Sequence, residues 1–108
     1  MAFKAAFIAH VPDAQPEKHH WMIETTMYQL FVAFVKNQEQ AVETCKKLVK
    51  EDGVQSFILC PGFTHKNIAE IAEAVGEGVS INVSRGDGPS SRVAMEIMTK
   101  EGWFSEKR

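Results

Sequence analysis

Apolar runs and polar breaks alternate along this chain with a regularity that predicts its elements. Phe3 to Ala9 is apolar apart from Lys4 and stops at His10-Val11-Pro12-Asp13. A continuous apolar run closed by a proline turn predicts a strand buried on both faces. Tyr28 to Val35 is aromatic and β-branched and ends at Lys36-Asn37, the composition of a second strand. From about Gln38 to Glu51, Ala41, Val42, Cys45, Leu48 and Val49 recur at helical spacing, opposite a face of Glu39, Glu43, Lys46, Lys47 and Lys50. That pattern predicts an amphipathic helix. Gly53 ends it, because glycine tolerates the left-handed backbone that closes many helices.

Val54 to Cys60 predicts a third strand and Val79 to Val83 a fourth. Between them, Thr64 stands where a cap belongs, and Ile68, Ile71, Ala72 and Val75 form the core stripe of a helix from His65 to Val75. Pro89 starts a last helix with an expected inner face of Val93, Ala94, Ile97 and Met98, after which Trp103 and Phe104 fold back over apolar surface. The least regular stretch is Pro16 to Thr25. Pro16 and Glu17 suit the first turn of a short helix, and an irregular covering loop is the alternative.

Strand ends near Val35, Cys60 and Val83 recur at about 25 residues, the size of a strand-plus-helix unit. The expected fold is therefore α/β, with a four-stranded, mostly parallel sheet and helices on both faces. Right-handed crossovers restrict the choices, and the flavodoxin-like order 2-1-3-4 is the expected one. A 1-2-3-4 winding, resembling half of a βα barrel, is the alternative.

Composition narrows the function classes. The 108 residues fit one domain, and 44% apolar and 24% charged residues are ordinary for a soluble protein. A formal net charge of −2 removes the usual electrostatic reason to expect nucleic acid. The start Met-Ala-Phe-Lys lacks the features of a secretory signal, and the longest apolar run, Leu30 to Val35, is too short to span a bilayer. Two cysteines in regular elements read as reduced thiols. These features together predict a cytoplasmic protein without a membrane partner. Glu106-Lys107-Arg108 reads as a short solvated tail of mixed sign.

In an open α/β sheet, ligands bind at the carboxyl ends of the strands, where the winding reverses. With order 2-1-3-4, that crevice gathers His10-Val11-Pro12, then Cys60-Pro61-Gly62-Phe63-Thr64-His65, then Ser84-Arg85-Gly86-Asp87. An anion could be held there by Arg85, by Thr64 and by the N–H groups of the following helix. The competing reading is that Thr64 caps the helix and Arg85 pairs with Asp87. Neither a phosphate loop nor a dinucleotide fingerprint is present, so no cofactor is assigned.

Cys60 is the candidate nucleophile, with His10 or His65 as its base; the competing reading is a small apolar filler. His19 and His20 are adjacent and lack metal-ligand spacing, and no metal site is assigned. A second strand on the sheet edge without protective charges predicts a homodimer. Two functions follow as expectations. One is a protein that binds a small anionic metabolite through Pro61 to Thr64 and Ser84 to Asp87, with Cys60, His10 and His65 as its reactive groups if it is an enzyme. The other is a non-catalytic homodimeric structural or regulatory module.

Lys4-Ala5-Ala6-Phe7-Ile8, Pro16-Glu17-Lys18-His19 with Ile23-Glu24-Thr25, and Leu59-Cys60-Pro61-Gly62-Phe63 with His65 are similar to a family of small, mostly bacterial α/β proteins that carries only a domain-of-unknown-function label. The resemblance covers nearly the whole chain. It implies that His19, Glu24, Cys60, Gly62, Phe63 and His65 belong to the family's recurring pattern, and it transfers no activity.

Overall fold

The structure, a computed structural model, describes residues 1–105; the tail Glu106 to Arg108 lies outside the described residues. Its elements run β1 (Phe3–His10), β2 (His20–Glu24), β3 (Tyr28–Val35), α1 (Gln38–Lys47), β4 (Ser56–Leu59), α2 (His65–Val75), β5 (Ser80–Val83) and α3 (Gly88–Lys100). They build one five-stranded sheet in the order β2-β3-β1-β4-β5.

The four strands expected from the apolar runs are all parallel, and β1 sits between β3 and β4. That position excludes the consecutive winding. The sheet is nevertheless not the expected four-stranded one. β2 adds a fifth strand, antiparallel to β3, where a helix or loop was predicted. The reason is local: in His20-Trp21-Met22-Ile23-Glu24, strand-forming side chains alternate between the two faces. A tight turn then returns the chain, with Thr25 N–H donating to the Tyr28 carbonyl at 2.8 Å and Thr25 Oγ1 accepting from the Met27 and Tyr28 N–H groups. β3 is therefore covered on its outer edge by its own chain, and the argument for a homodimer from a bare Tyr28–Val35 edge lapses.

Strand pairing assigns each residue to a face. Ala6, Ile8, Ala33, Val35, Phe57 and Leu59 point one way and share a single core with Ala41 and Cys45 of α1 and Ile71 of α2. Both crossover helices thus cover the same face. The expectation of helices on both faces is not met, because α3 buries no residue at all. Val93 and Ile97, expected on its inner side, are more than half exposed.

Several caps follow the sequence directly. Asn37 accepts from Gln40 N–H at the start of α1, and Thr64 and Asn67 form a reciprocal capping box on α2. α1 continues into a widened, π-helical turn, Leu48–Asp52, which Gly53 closes with φ of 72°. That left-handed backbone is the one the sequence anticipated for glycine there.

Candidate functional site

The carboxyl ends of β1, β3 and β4 meet at one rim. At Gly62, a methyl group in place of the hydrogen would lie 3.5 Å from Cys60 Sγ and 3.9 Å from the His10 side chain. The turn therefore lies within van der Waals reach of both residues. The His10 ring packs against Phe63 with centroids 4.2 Å apart, and Phe63 is itself buried in the core. His10, Cys60, Gly62 and Phe63 accordingly form one compact cluster. The next loop joins it, since a methyl group at Gly86 would lie 3.6 Å from Pro61.

Within the cluster, the thiol and the imidazole are not paired. Cys60 Sγ accepts from the backbone N–H of His10 at 3.4 Å. The His10 Nε2 is buried and has no hydrogen-bond partner among the described residues. Buried polar atoms in native proteins are nearly always satisfied, and an orphan calls for an explanation. Burial also pushes the His10 pKa below its ordinary 6.5, so the neutral ring is favoured.

The pH consequence has a definite sign. Unfolding restores the ordinary pKa, so below 6.5 the unfolded chain binds more protons at His10 than the folded one. Stability contributed by the neutral ring is complete above that pH and is lost as pH falls towards the lowered folded value. Wild type is expected to lose more stability than His10→Phe between about pH 7.5 and about pH 5.5, measured by urea denaturation. Parallel losses in the two proteins would show that His10 does not titrate as its burial requires.

The other predicted site residues separate. Arg85 is highly exposed, and its Nε donates to Asp87 Oδ1 at 2.6 Å. The Thr64 hydroxyl accepts from Asn67 N–H at 3.1 Å. Both arrangements follow the competing readings of these residues. His65 is exposed on the first turn of α2. Ser84 is half-buried and donates its N–H to the Leu59 carbonyl at 2.8 Å, which ties the β5 end to β4. Cys45, away from the rim, is an interior thiol whose burial pushes its pKa up to about 12.

The histidine pair is used structurally. His19 Nδ1 accepts from Gln15 N–H at 2.9 Å, and His20 Nδ1 lies 2.9 Å from the Pro16 carbonyl. These contacts hold the turn before β2. Among the described residues, no group of three His, Cys, Asp or Glu side chains is placed to hold a metal ion.

Two contributors to the rim were missed in the sequence. A cavity of about 370 Å³ beside His10, Val11 and Pro12 is bordered by Lys36, Trp103, Phe104 and Ser105. Lys36 follows the last residue of β3, and a lone cation at the carboxyl end of a parallel strand was the available signal. α3 begins beside Pro61, and the residues after it reach this cavity. Its length of about 20 Å is enough to cross the rim from β5 to β3, which spans about 14 Å.

A larger groove of about 1160 Å³ runs between β2 and α1. Its size does not make it the better site. Charges of both signs line it, including Glu43, Lys46, Lys47 and Glu51, and it lies away from the strand ends where the cluster has formed.

No curated protein and no solved structure matches the chain. Among the described residues, no helix is long and apolar enough to cross a membrane. The match that does exist spans residues 3–99 and is to a family described as "Family of unknown function (DUF6506)". The chain belongs to that family.

Proposed function

We propose that this protein binds a small anionic metabolite at the carboxyl ends of β1 and β3, between His10 and Lys36. The observation that carries the reading is the buried, unpartnered Nε2 of His10 next to a cavity that also has a lysine on its wall. Lys36 supplies the positive charge. The neutral imidazole offers an unpaired Nε2, which an oxygen of the ligand would satisfy once the side chains that cover it move aside. Trp103 and Phe104 supply apolar cover, in keeping with small-molecule sites that are mostly apolar with a few converging polar groups. Cys60, Gly62 and Phe63 back the imidazole rather than react: the thiol accepts from the His10 backbone N–H and not from its ring. Binding, not nucleophilic catalysis, is the activity this arrangement supports best. The loop Ser84 to Asp87 follows β5 and is not among the residues that line this cavity, with Arg85 engaged by Asp87.

The test is a thermal-shift screen with sulfate, phosphate and di- and tricarboxylates on wild type, Lys36→Ala and Arg85→Ala. A ligand at about 100 times its Kd stabilises by about 2.7 kcal/mol, which for a domain of this size is a rise in Tm of roughly ten degrees or more. Wild type and Arg85→Ala are expected to shift with the same anions, and Lys36→Ala is not. Loss of the shift in Arg85→Ala with retention in Lys36→Ala would move the site to the β5 end. No shift with any anion in wild type would contradict the reading.

A further inference from the structure

α1 and α2 cover one face of the sheet; on the other, Ala5 and Ser56 are buried while the larger side chains remain partly exposed. The side chains directed away from α1 and α2 are Phe3, Ala5, Phe7 and Ala9 on β1, Tyr28, Leu30, Val32 and Phe34 on β3, and Trp21 and Ile23 on β2. Ser56 and Ile58 of β4 and Ser80 and Asn82 of β5 complete this face. No strand residue on it is charged. A solvated sheet face ordinarily carries the polar half of an alternating pattern; here that half is apolar. The buried helix residues Ala41, Cys45 and Ile71 all belong to the opposite core, so no described helix buries a side chain against it.

We infer that this face is where a second copy of the chain docks, the two sheets packing face to face about a two-fold axis. The exposed area is the first support. Phe3, Trp21, Ile23, Tyr28 and Phe34 are 51, 73, 62, 37 and 38% exposed. At 150–250 Å² per aromatic side chain the four rings alone offer roughly 400 Å², to which Ile23 adds. The half-buried Phe7, Leu30, Val32 and Ile58 bring the face towards the ~800 Å² that each partner contributes to a standard stable interface. Monomers rarely leave contiguous apolar patches above a few hundred Å².

The layout of the face is the second support. Its centre on β1 and β3 is apolar. Its β5 side is a polar strip in which Asn82 Nδ2 donates to Ser80 Oγ at 3.0 Å and to Ser56 Oγ at 3.3 Å. An apolar centre with a polar margin is the anatomy of an interface. A patch that meets its own copy across a two-fold axis needs only self-complementarity, and an uncharged apolar face meets that need without opposing like charges. Two sheets about 10 Å apart interdigitate side chains of this kind.

Sedimentation equilibrium on wild type, Trp21→Glu, Phe34→Asp and Ile97→Asp tests the inference. Trp21 is largely exposed in the single chain, so its replacement leaves the fold intact, which circular dichroism checks. Interfaces of standard area range from micromolar to picomolar affinity, so wild type is expected to be dimeric at ~100 µM. Trp21→Glu and Phe34→Asp are expected to weaken the dimer by at least ~30-fold, the loss that defines a central interface residue. Ile97→Asp, on α3 and off this face, is expected to remain dimeric. A wild-type chain that stays monomeric at that concentration overturns the inference, even if lipid vesicles or another protein then occupy the face. A dimer broken by Ile97→Asp and unaffected by both sheet variants overturns it equally.

Discussion

Phe57→Ala is expected to destabilise the protein by about 3–5 kcal/mol, the range for truncating a buried aromatic side chain. Phe57 is wholly buried on β4 and pairs in register with Ala6 of β1 and Ile81 of β5. Ala6 has too small a side chain to move into the space, and the neighbouring backbone is fixed by ladder hydrogen bonds on both sides. The cavity therefore persists, and its cost adds to the lost transfer free energy. Against a total stability of 5–15 kcal/mol for an ordinary domain, the variant should be near its folding threshold. Urea denaturation is expected to show a lower midpoint with an unchanged slope. A loss below about 1 kcal/mol would mean that the core collapses around the site, contrary to the packing described.

Ile71→Ala should cost about 2–5 kcal/mol, with a different distribution. Ile71 is the one fully buried side chain of α2, and Ile68 and Val75 pack beside it only partly buried, so it is the helix's main anchor to the sheet. α2 also contacts α1 through Gln38 Nε2, which donates to the Asn67 carbonyl and to Glu70 Oε1, each at 3.1 Å. These partly solvated contacts cannot replace an anchored core residue. Amide hydrogen exchange is expected to accelerate more over 65–75 than over β1, and the acceleration should extend into the Pro61–Thr64 turn that precedes the helix. Uniform acceleration across the chain would show instead that α2 and the sheet open only together.

The two variants also separate what the sequence disclosed from what it hid. The parallel strands were legible because each is a short apolar run ended by a turn, and α2 was legible to its boundaries because Thr64 and the Ile68–Ile71–Val75 stripe mark both its start and its buried side. β2 was hidden by its exposure. In the five residues His20–Glu24, Trp21 and Ile23 share one side, but Met22 on the other blurs the alternation, and Pro16-Glu17 imitates a helix start. α3 shows the reverse difficulty. Its apolar periodicity is real, yet periodicity does not reveal whether a partner surface exists, and Val93 and Ile97 stand exposed.

The candidate site was legible to the same degree. Strand order alone brought His10 and Cys60 together, because β1 and β4 are neighbours with their carboxyl ends on one rim. Arg85 looked like an anion ligand because its loop is near that rim. In the structure it pairs with Asp87 two residues on, since a local ion pair needs no tertiary arrangement. Lys36 was passed over as the polar end of a strand; the fold-back of Trp103 and Phe104 was expected, but its arrival beside Lys36 depends on the course of α3, which no local pattern encodes.

The His10–Lys36 site is tested most directly by following the imidazole resonances of His10 by NMR during a sulfate titration at several pH values. Sulfate carries its charge unchanged across this range, so any pH dependence belongs to the protein. Saturable shifts at His10 and at the Lys36 ammonium are expected, with tighter binding as pH falls from 6.5 towards the lowered pKa of His10, because an anion favours the protonated ring. If sulfate leaves both resonances still while perturbing Arg85 and the start of α2, the anion site is elsewhere and the account is wrong.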